Sequence, residues 1–229
     1  MLASLGAGAG CDALRRASLK TVDPTIQKNP RWERERAQGG FRLGPYTALR
    51  PRVREHAGDG DLGVRSGMPR NPGWRYELQL TVRGPKRDYE AKCTGLRVPT
   101  VAADFGEIAD VNNDEVKIEC EIQGELRWRF TAQGRLDKNL GGELRPTDAT
   151  AIAPLKVEIL LWFARLKLIR RHLAAPIVQV RRGPDAIAAL VIARPEWAWV
   201  AAGESDELRG VALTTTLAIA ALPLGLEDS

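Results

Sequence analysis

Between Trp74 and Val82 every second residue is apolar: Trp74, Tyr76, Leu78, Leu80 and Val82 alternate with Arg75, Glu77, Gln79 and Thr81. Successive side chains of a β-strand point to opposite faces, so such a run has one dry face and one wet face. The pattern recurs three times. Tyr89, Ala91 and Cys93 carry it after a turn with Gly84-Pro85, then Val116, Ile118, Cys120 and Ile122, then Leu126, Trp128 and Phe130. Strands of a parallel sheet are covered on both faces and read as continuous apolar runs. Polar alternate faces therefore predict an antiparallel meander that closes into a curled sheet or partial barrel. At 229 residues and 44% apolar content, the chain is long and apolar enough to bury a full core.

Gln123-Gly124 joins the last two runs. A two-residue loop would set inward Ile122 opposite outward Glu125, which the pleat forbids. A three-residue loop, Gln123-Gly124-Glu125, predicts Ile122 opposite Leu126, Cys120 opposite Trp128 and Ile118 opposite Phe130. It also sets Glu121 and Glu119 opposite Arg127 and Arg129. The two glutamates have the look of paired catalytic carboxylates, but facing arginines assign them to cross-strand ion pairs.

Further along, Leu155, Ile159, Trp162, Phe163, Leu166, Ile169 and Leu173 fall at helical spacing, with Arg165, Lys167, Arg170 and Arg171 between them. The spacing predicts an amphipathic helix ending before Pro176. Its basic face suits anionic lipid or an acidic partner, although solvation is the commoner role of such a face. Residues 177–181, 187–193 and 197–200 read as short strands. Residues 206–222 read as a helix with acids in its first turn, and 211–222 carry no charge, so this helix should be buried nearly all round. The expected class is α+β: a mainly antiparallel β meander with an amphipathic helix and an apolar C-terminal helix. In that respect the chain resembles the tubby-like barrels, which enclose an apolar C-terminal helix; the resemblance is one of architecture, with no motif behind it.

The formal charge of +5 is unevenly placed, with 15 Lys/Arg against 8 Asp/Glu in residues 1–83 and 19 against 21 in residues 84–229. A nucleic-acid binder more often carries a basic stripe on its folded body, which argues against nucleic acid as a partner. No apolar run reaches the roughly 18–20 residues of a spanning helix. Residues 211–226 come nearest and are interrupted by Pro223 and Gly225.

The third cysteine, Cys11, follows the small and apolar run 1–10. Gly8-Ala9-Gly10-Cys11 resembles the bacterial lipoprotein lipobox, which reads Leu, two small residues and the modified Cys. Small side chains there let the backbone enter the peptidase cleft. The resemblance covers about ten residues and departs from the pattern at Gly8 and in lacking a basic residue before the apolar run. It sets an expectation that the leader starts upstream of Met1. It implies a signal-like segment over 1–11, a flexible basic linker over 12–40 and a single β-rich domain over 41–229. The function it implies is that of a non-enzymatic cell-envelope lipoprotein, anchored to the membrane through lipid on Cys11, which binds a protein or apolar ligand or supports an assembly. The bland reading of Cys11 is a chance cysteine in a Gly/Ala-rich terminus. Two functional readings compete: a cytosolic accessory domain binding nucleic acid or an acidic protein through its basic N-terminal third, and an enzyme assembled from scattered residues.

Cys93 and Cys120 both fall on inward positions of the same proposed sheet. In an exported domain they either form a disulfide, worth about 3 kcal/mol by chain entropy, or pack as small apolar thiols. No CxxC or paired-His spacing suggests zinc. Asp110, Asn112, Asp114 and Glu121 match positions of a calcium loop, but Glu115 stands where the turn glycine belongs, so the segment reads as a polar loop entering a strand. Asp59 and Asp61 read as a flexible loop, His56 as a loop residue and His172 as the basic end of the amphipathic helix. A nucleophile elbow is absent, and neither Gly39-Gly40 nor Gly141-Gly142 continues into the Lys-Ser/Thr of a phosphate loop. The tryptophans read mostly as core, with Trp197 and Trp199 as candidates to line a pocket. The sequence thus assigns no catalytic residue, metal ligand or cofactor.

Overall fold

Alternation becomes strand wherever it was read. A computed structural model of the chain describes residues 19–60, 73–98, 114–136, 138–148, 152–160, 163–166, 169–172, 175–193 and 196–224. A 3-10 turn at Ile26–Lys28 leads into β1 (Trp32–Glu33), β2 (Glu35–Ala37), β3 (Gly40–Leu43), β4 (Tyr46–Leu49) and β5 (Arg52–Gly60). The long central strands follow: β6 (Gly73–Arg83), β7 (Asp88–Val98), β8 (Glu115–Gln123), β9 (Arg127–Arg135), β10 (Leu140–Pro146) and β11 (Leu155–Leu160). Then come β12 (Phe163–Leu166), β13 (Ile169–His172), β14 (Ile177–Arg182), β15 (Asp185–Val191), β16 (Trp197–Val200) and helix α1 (Asp206–Ala221).

Fourteen strands form one antiparallel sheet that is nearly closed, like a barrel; β12 and β13 form a separate pair. Closure depends on the short run 32–37. Its first half, β1, pairs with β16 through Trp32 and Ala198, and its second half, β2, pairs with β3 through Arg36 and Phe41. One residue, Arg34, therefore joins the two ends of the sheet. Its backbone N–H donates to the Glu196 carbonyl at 3.0 Å, and its guanidinium donates to both Glu196 carboxylate oxygens and lies 3.9 Å over the Phe41 ring.

The dry faces converge on α1. Leu78, Leu80, Val82, Ile118, Ile122, Trp128, Phe130, Leu144, Val157 and Ile159 are all buried against it or around it, in one cluster that includes Val211, Leu213 and Ile219. Ten consecutive helix residues, Gly210 to Ile219, are buried, so α1 fills the barrel rather than covering it. Gly210 lets it in: a Cβ there would lie 1.9 Å from the Tyr89 ring. At the far end Gly95 sits against Leu222 and Leu224.

Antiparallel register gives the barrel two unlike rims. At one, short turns at 84–87, 124–126 and 183–184 meet the N-terminus of α1. At the other lie the connections 61–72, 99–114 and 161–176.

Three expectations are corrected. The predicted amphipathic helix over 155–173 is not a helix. Leu155, Val157 and Ile159 alternate with Lys156 and Glu158 as β11, and Phe163–Leu166 pairs with Ile169–His172 as β12 and β13. The apolar spacing fitted both periods, and β-branched Val157 and Ile159 fit the pleat better. The described part of the expected linker, residues 19–40, belongs to the folded body. Val22 and Ile26 are buried on the outer face of β14–β16 against Ile177, Ala189, Trp197 and Trp199, and residues 32–37 close the barrel. The β8–β9 register lies two residues from the predicted one: Ile122 faces Trp128, Cys120 faces Phe130 and Glu121 faces Arg129. The faces are unchanged, but the loop is Gly124-Glu125-Leu126, because the amides of Glu125 and Leu126 donate to the Glu207 carboxylate instead of the ladder. No described helix is long and apolar enough to cross a membrane.

Candidate functional site

Cys93 and Cys120 stand directly opposite each other on β7 and β8, and in the structure their sulfurs are bonded, 2.05 Å apart. Both are buried in the barrel interior. On the outer face of the same strands lies an open depression of about 290 Å3, lined by Glu77, Gln79, Lys92, Thr94, Glu119, Glu121 and Arg129. Alternation explains both features, since the residues flanking each inward cysteine must point out.

Two of the carboxylates in the depression, Glu77 and Glu119, pair with cations beside it. Lys117 donates to Glu119 at 2.7 Å, and that hydrogen bond, with the nearby Lys117 and Arg129 charges, holds the Glu119 carboxyl below its usual value against the effect of burial. Glu77 has Arg75 at 3.4 Å and His56 at 3.7 Å. Glu119 is thus held as the ionised form and is poorly suited to deliver a proton near neutral pH. What the arrangement offers is recognition of a polar group by fixed charges of both signs.

A second polar centre secures α1. Glu207 accepts from the Glu125 and Leu126 amides at 2.9 and 3.1 Å and from the Trp128 indole at 3.1 Å. The Tyr89 hydroxyl donates to the Asp206 carbonyl at 2.8 Å; burial, and then the Glu207 charge, push its ionisation far above the usual phenol range, so it remains a donor. Ser205 caps the helix by accepting from the Leu208 amide. Asp206 pairs with Lys86 and Arg209, whose hydrogen bonds keep its carboxyl below the usual value. At the opposite rim Arg97 meets Asp114 at 2.6 Å, with Asp114 only 3% exposed.

The remaining sequence candidates scatter. Cys11, Asp61, Asp110, Asn112 and Trp162 lie outside the described residues. Asp114 is engaged by Arg97, and Glu121 lies seven residues further along the extended strand, roughly 23 Å away, so the calcium-loop pattern does not assemble. Among the described residues no group of three His, Cys, Asp or Glu is placed to hold a metal ion. His56 lies in β5, not in a loop, half exposed, and His172 ends β13. Trp197 and Trp199 do not line the depression on β6–β9; they are buried under the N-terminal segment, with Arg31 4.6 Å over the Trp197 ring. In the basic N-terminal third, Arg34 pairs with Glu196 and Arg42 with Glu35. Sequence reasoning missed Glu207 and Asp23. Asp23-Pro24-Thr25 is a turn signal that could have marked the second.

Comparison of the chain with protein-family models, with curated proteins and with solved structures finds no match.

Proposed function

We propose that the chain is a non-enzymatic lipoprotein of the bacterial cell envelope, held to a membrane by lipid on Cys11, whose barrel serves as a binding or supporting module. The observation that carries this reading is the bridge between Cys93 and Cys120. Disulfides persist in oxidising compartments outside the cytosol, and this one leaves Cys11 as the remaining cysteine of three. The lipobox-like context of Cys11 then gives that cysteine a use. The finer architectural reading, a barrel of the tubby-like kind, is supported by the enclosed C-terminal helix and by nothing at the level of motif.

Mass spectrometry of protein purified from membranes of its native host tests the anchor. The expected result is a chain that begins at Cys11 and carries a diacylglyceryl thioether there. An unmodified Met1 terminus together with a free Cys11 thiol overturns the proposal.

A further inference from the structure

We propose that β5 is a docking edge, to which a partner protein adds one extended strand that carries an apolar residue between two acidic ones. β4 and β5 both run along β6, first through Ala48 and Val82 and then through Arg52 and Gln79. β3 covers the far side of β4, and the last bond there runs from the Arg50 amide to the Gly39 carbonyl at 2.8 Å. From Arg52 to Gly60, among the described residues, no strand lies on the side of β5 away from β6. Alternate residues of such an edge point their N–H and C=O groups outward, where another strand can take them up.

The side chains define the missing neighbour. Val53 stands opposite Leu78 and so on the inward face of the sheet. Leu78 is 1% exposed, whereas Val53, at 40%, is the one large apolar side chain left exposed among the described residues. Arg52 and Arg54 are exposed on the outer face, opposite Gln79 and Glu77. Glu77 is engaged by Arg75 and His56, and among the described residues neither Arg52 nor Arg54 has an ion pair. Facing residues share one side of a sheet, so an incoming strand meets Arg52, Val53 and Arg54 with acid, apolar and acid in turn. Its backbone bonds supply affinity and these three positions supply selectivity. A second copy of the chain fits worse. Edge-to-edge pairing about a two-fold axis sets Arg52 on Arg54 when centred at Val53, and Arg54 or Glu55 on itself when centred there. The inference rests on the reading of the barrel as a binding module, and not on the anchor.

The test uses the full chain and the labelled, end-blocked peptide Thr-Thr-Glu-Val-Glu-Thr-Thr, whose core reads the same in both strand directions. Fluorescence anisotropy should show it binding about tenfold more tightly than the same peptide with Lys for Glu, since two facing pairs change from attraction to repulsion. Thr-Pro-Glu-Pro-Glu-Pro-Thr keeps the acids but lacks three N–H groups, and should also bind about tenfold more weakly. The double variant Arg52→Glu/Arg54→Glu should reverse the preference and select the Lys peptide. Hydrogen exchange on the unaltered chain guards against a misfolded variant: amides 52–56 should slow when the Glu peptide is added. Equal binding of the three peptides, a charge-reversed variant that still prefers the Glu peptide, or unchanged exchange would each overturn the proposal. So would a chain that sediments as a dimer with amides 52–56 already protected, because the occupant is then a second copy. An unlipidated Cys11 would sink the anchor and leave the peptide result standing, and a peptide that fails to bind would leave the anchor standing.

Discussion

The two rims of the barrel hold their strands in different ways. At the turn rim, Glu207 satisfies three donors, Ser205 caps α1, and Tyr89 ties the first turn of the helix to β7. Most of these contacts join a backbone group to a side chain, and all but the Ser205 cap span 79 to 117 residues of sequence. The opposite rim carries the three connections 61–72, 99–114 and 161–176 beside the shorter links 136–139 and 192–196, and the Arg97–Asp114 pair clamps the end of β7 to the start of β8 across the connection 99–113. The difference separates two tasks. Short turns and a latched helix give rigidity, while long connections on a rigid base can vary and carry recognition. The β12–β13 pair belongs to the second rim.

The clamp should be the more costly to break. Arg97→Met leaves Asp114 buried without this partner, and removing one member of a buried pair costs about 4 kcal/mol. Glu207→Ala strands donors that are only partly buried, because the Glu125 amide is near water, so the expected loss is about 2 kcal/mol. Urea unfolding of the two variants measures both. A larger loss for Glu207→Ala would reverse the contrast and place the weak point of the barrel at its turn rim. Hydrogen exchange sharpens it further: in Glu207→Ala the faster amides should be those of residues 124–126, with β7 and β8 unaffected at their other ends.

How much of this was legible depends on how local the deciding contact is. Period-two alternation is a property of neighbouring residues, so β6 to β9 and their faces could be read directly, including the shared inward face of Cys93 and Cys120. The absence of charge from 211 to 222 likewise announced a helix with no wet side. Register was lost because a distant carboxylate, Glu207, captures the loop amides of the β8–β9 turn. The N-terminal segment was misread for the same kind of reason. Its polar residues looked like those of a linker, yet Gln179, 156 residues away, accepts from the Asp23 amide. Residues 163–172 defeated the reading differently, since a basic hairpin and a basic helix face share one composition. The outer depression was not visible either, because it forms between strands rather than along one.

The smallest effect concerns the attachment of that N-terminal segment, which lies on the outer face of β14–β16. Asp23 is buried, accepts from the Thr25 amide at 2.7 Å and from its hydroxyl, and pairs with Arg181 at 2.5 Å. Burial by itself would raise its carboxyl, but the Thr25 and Arg181 hydrogen bonds outweigh it and hold the group below its ordinary value. A depressed carboxylate stabilises the fold fully above its unfolded value, about 3.9, and loses that contribution as pH falls through the lower folded value. The native chain should therefore lose stability between about pH 5 and pH 2 more steeply than Asp23→Asn, whose side chain does not titrate. At neutral pH the variant should be less stable by about 1 kcal/mol. Urea midpoints taken across that range give both quantities. Parallel curves for the two proteins would mean that Asp23 does not hold the segment through its charge, and that the apolar packing of Val22 and Ile26 holds it on the barrel unaided.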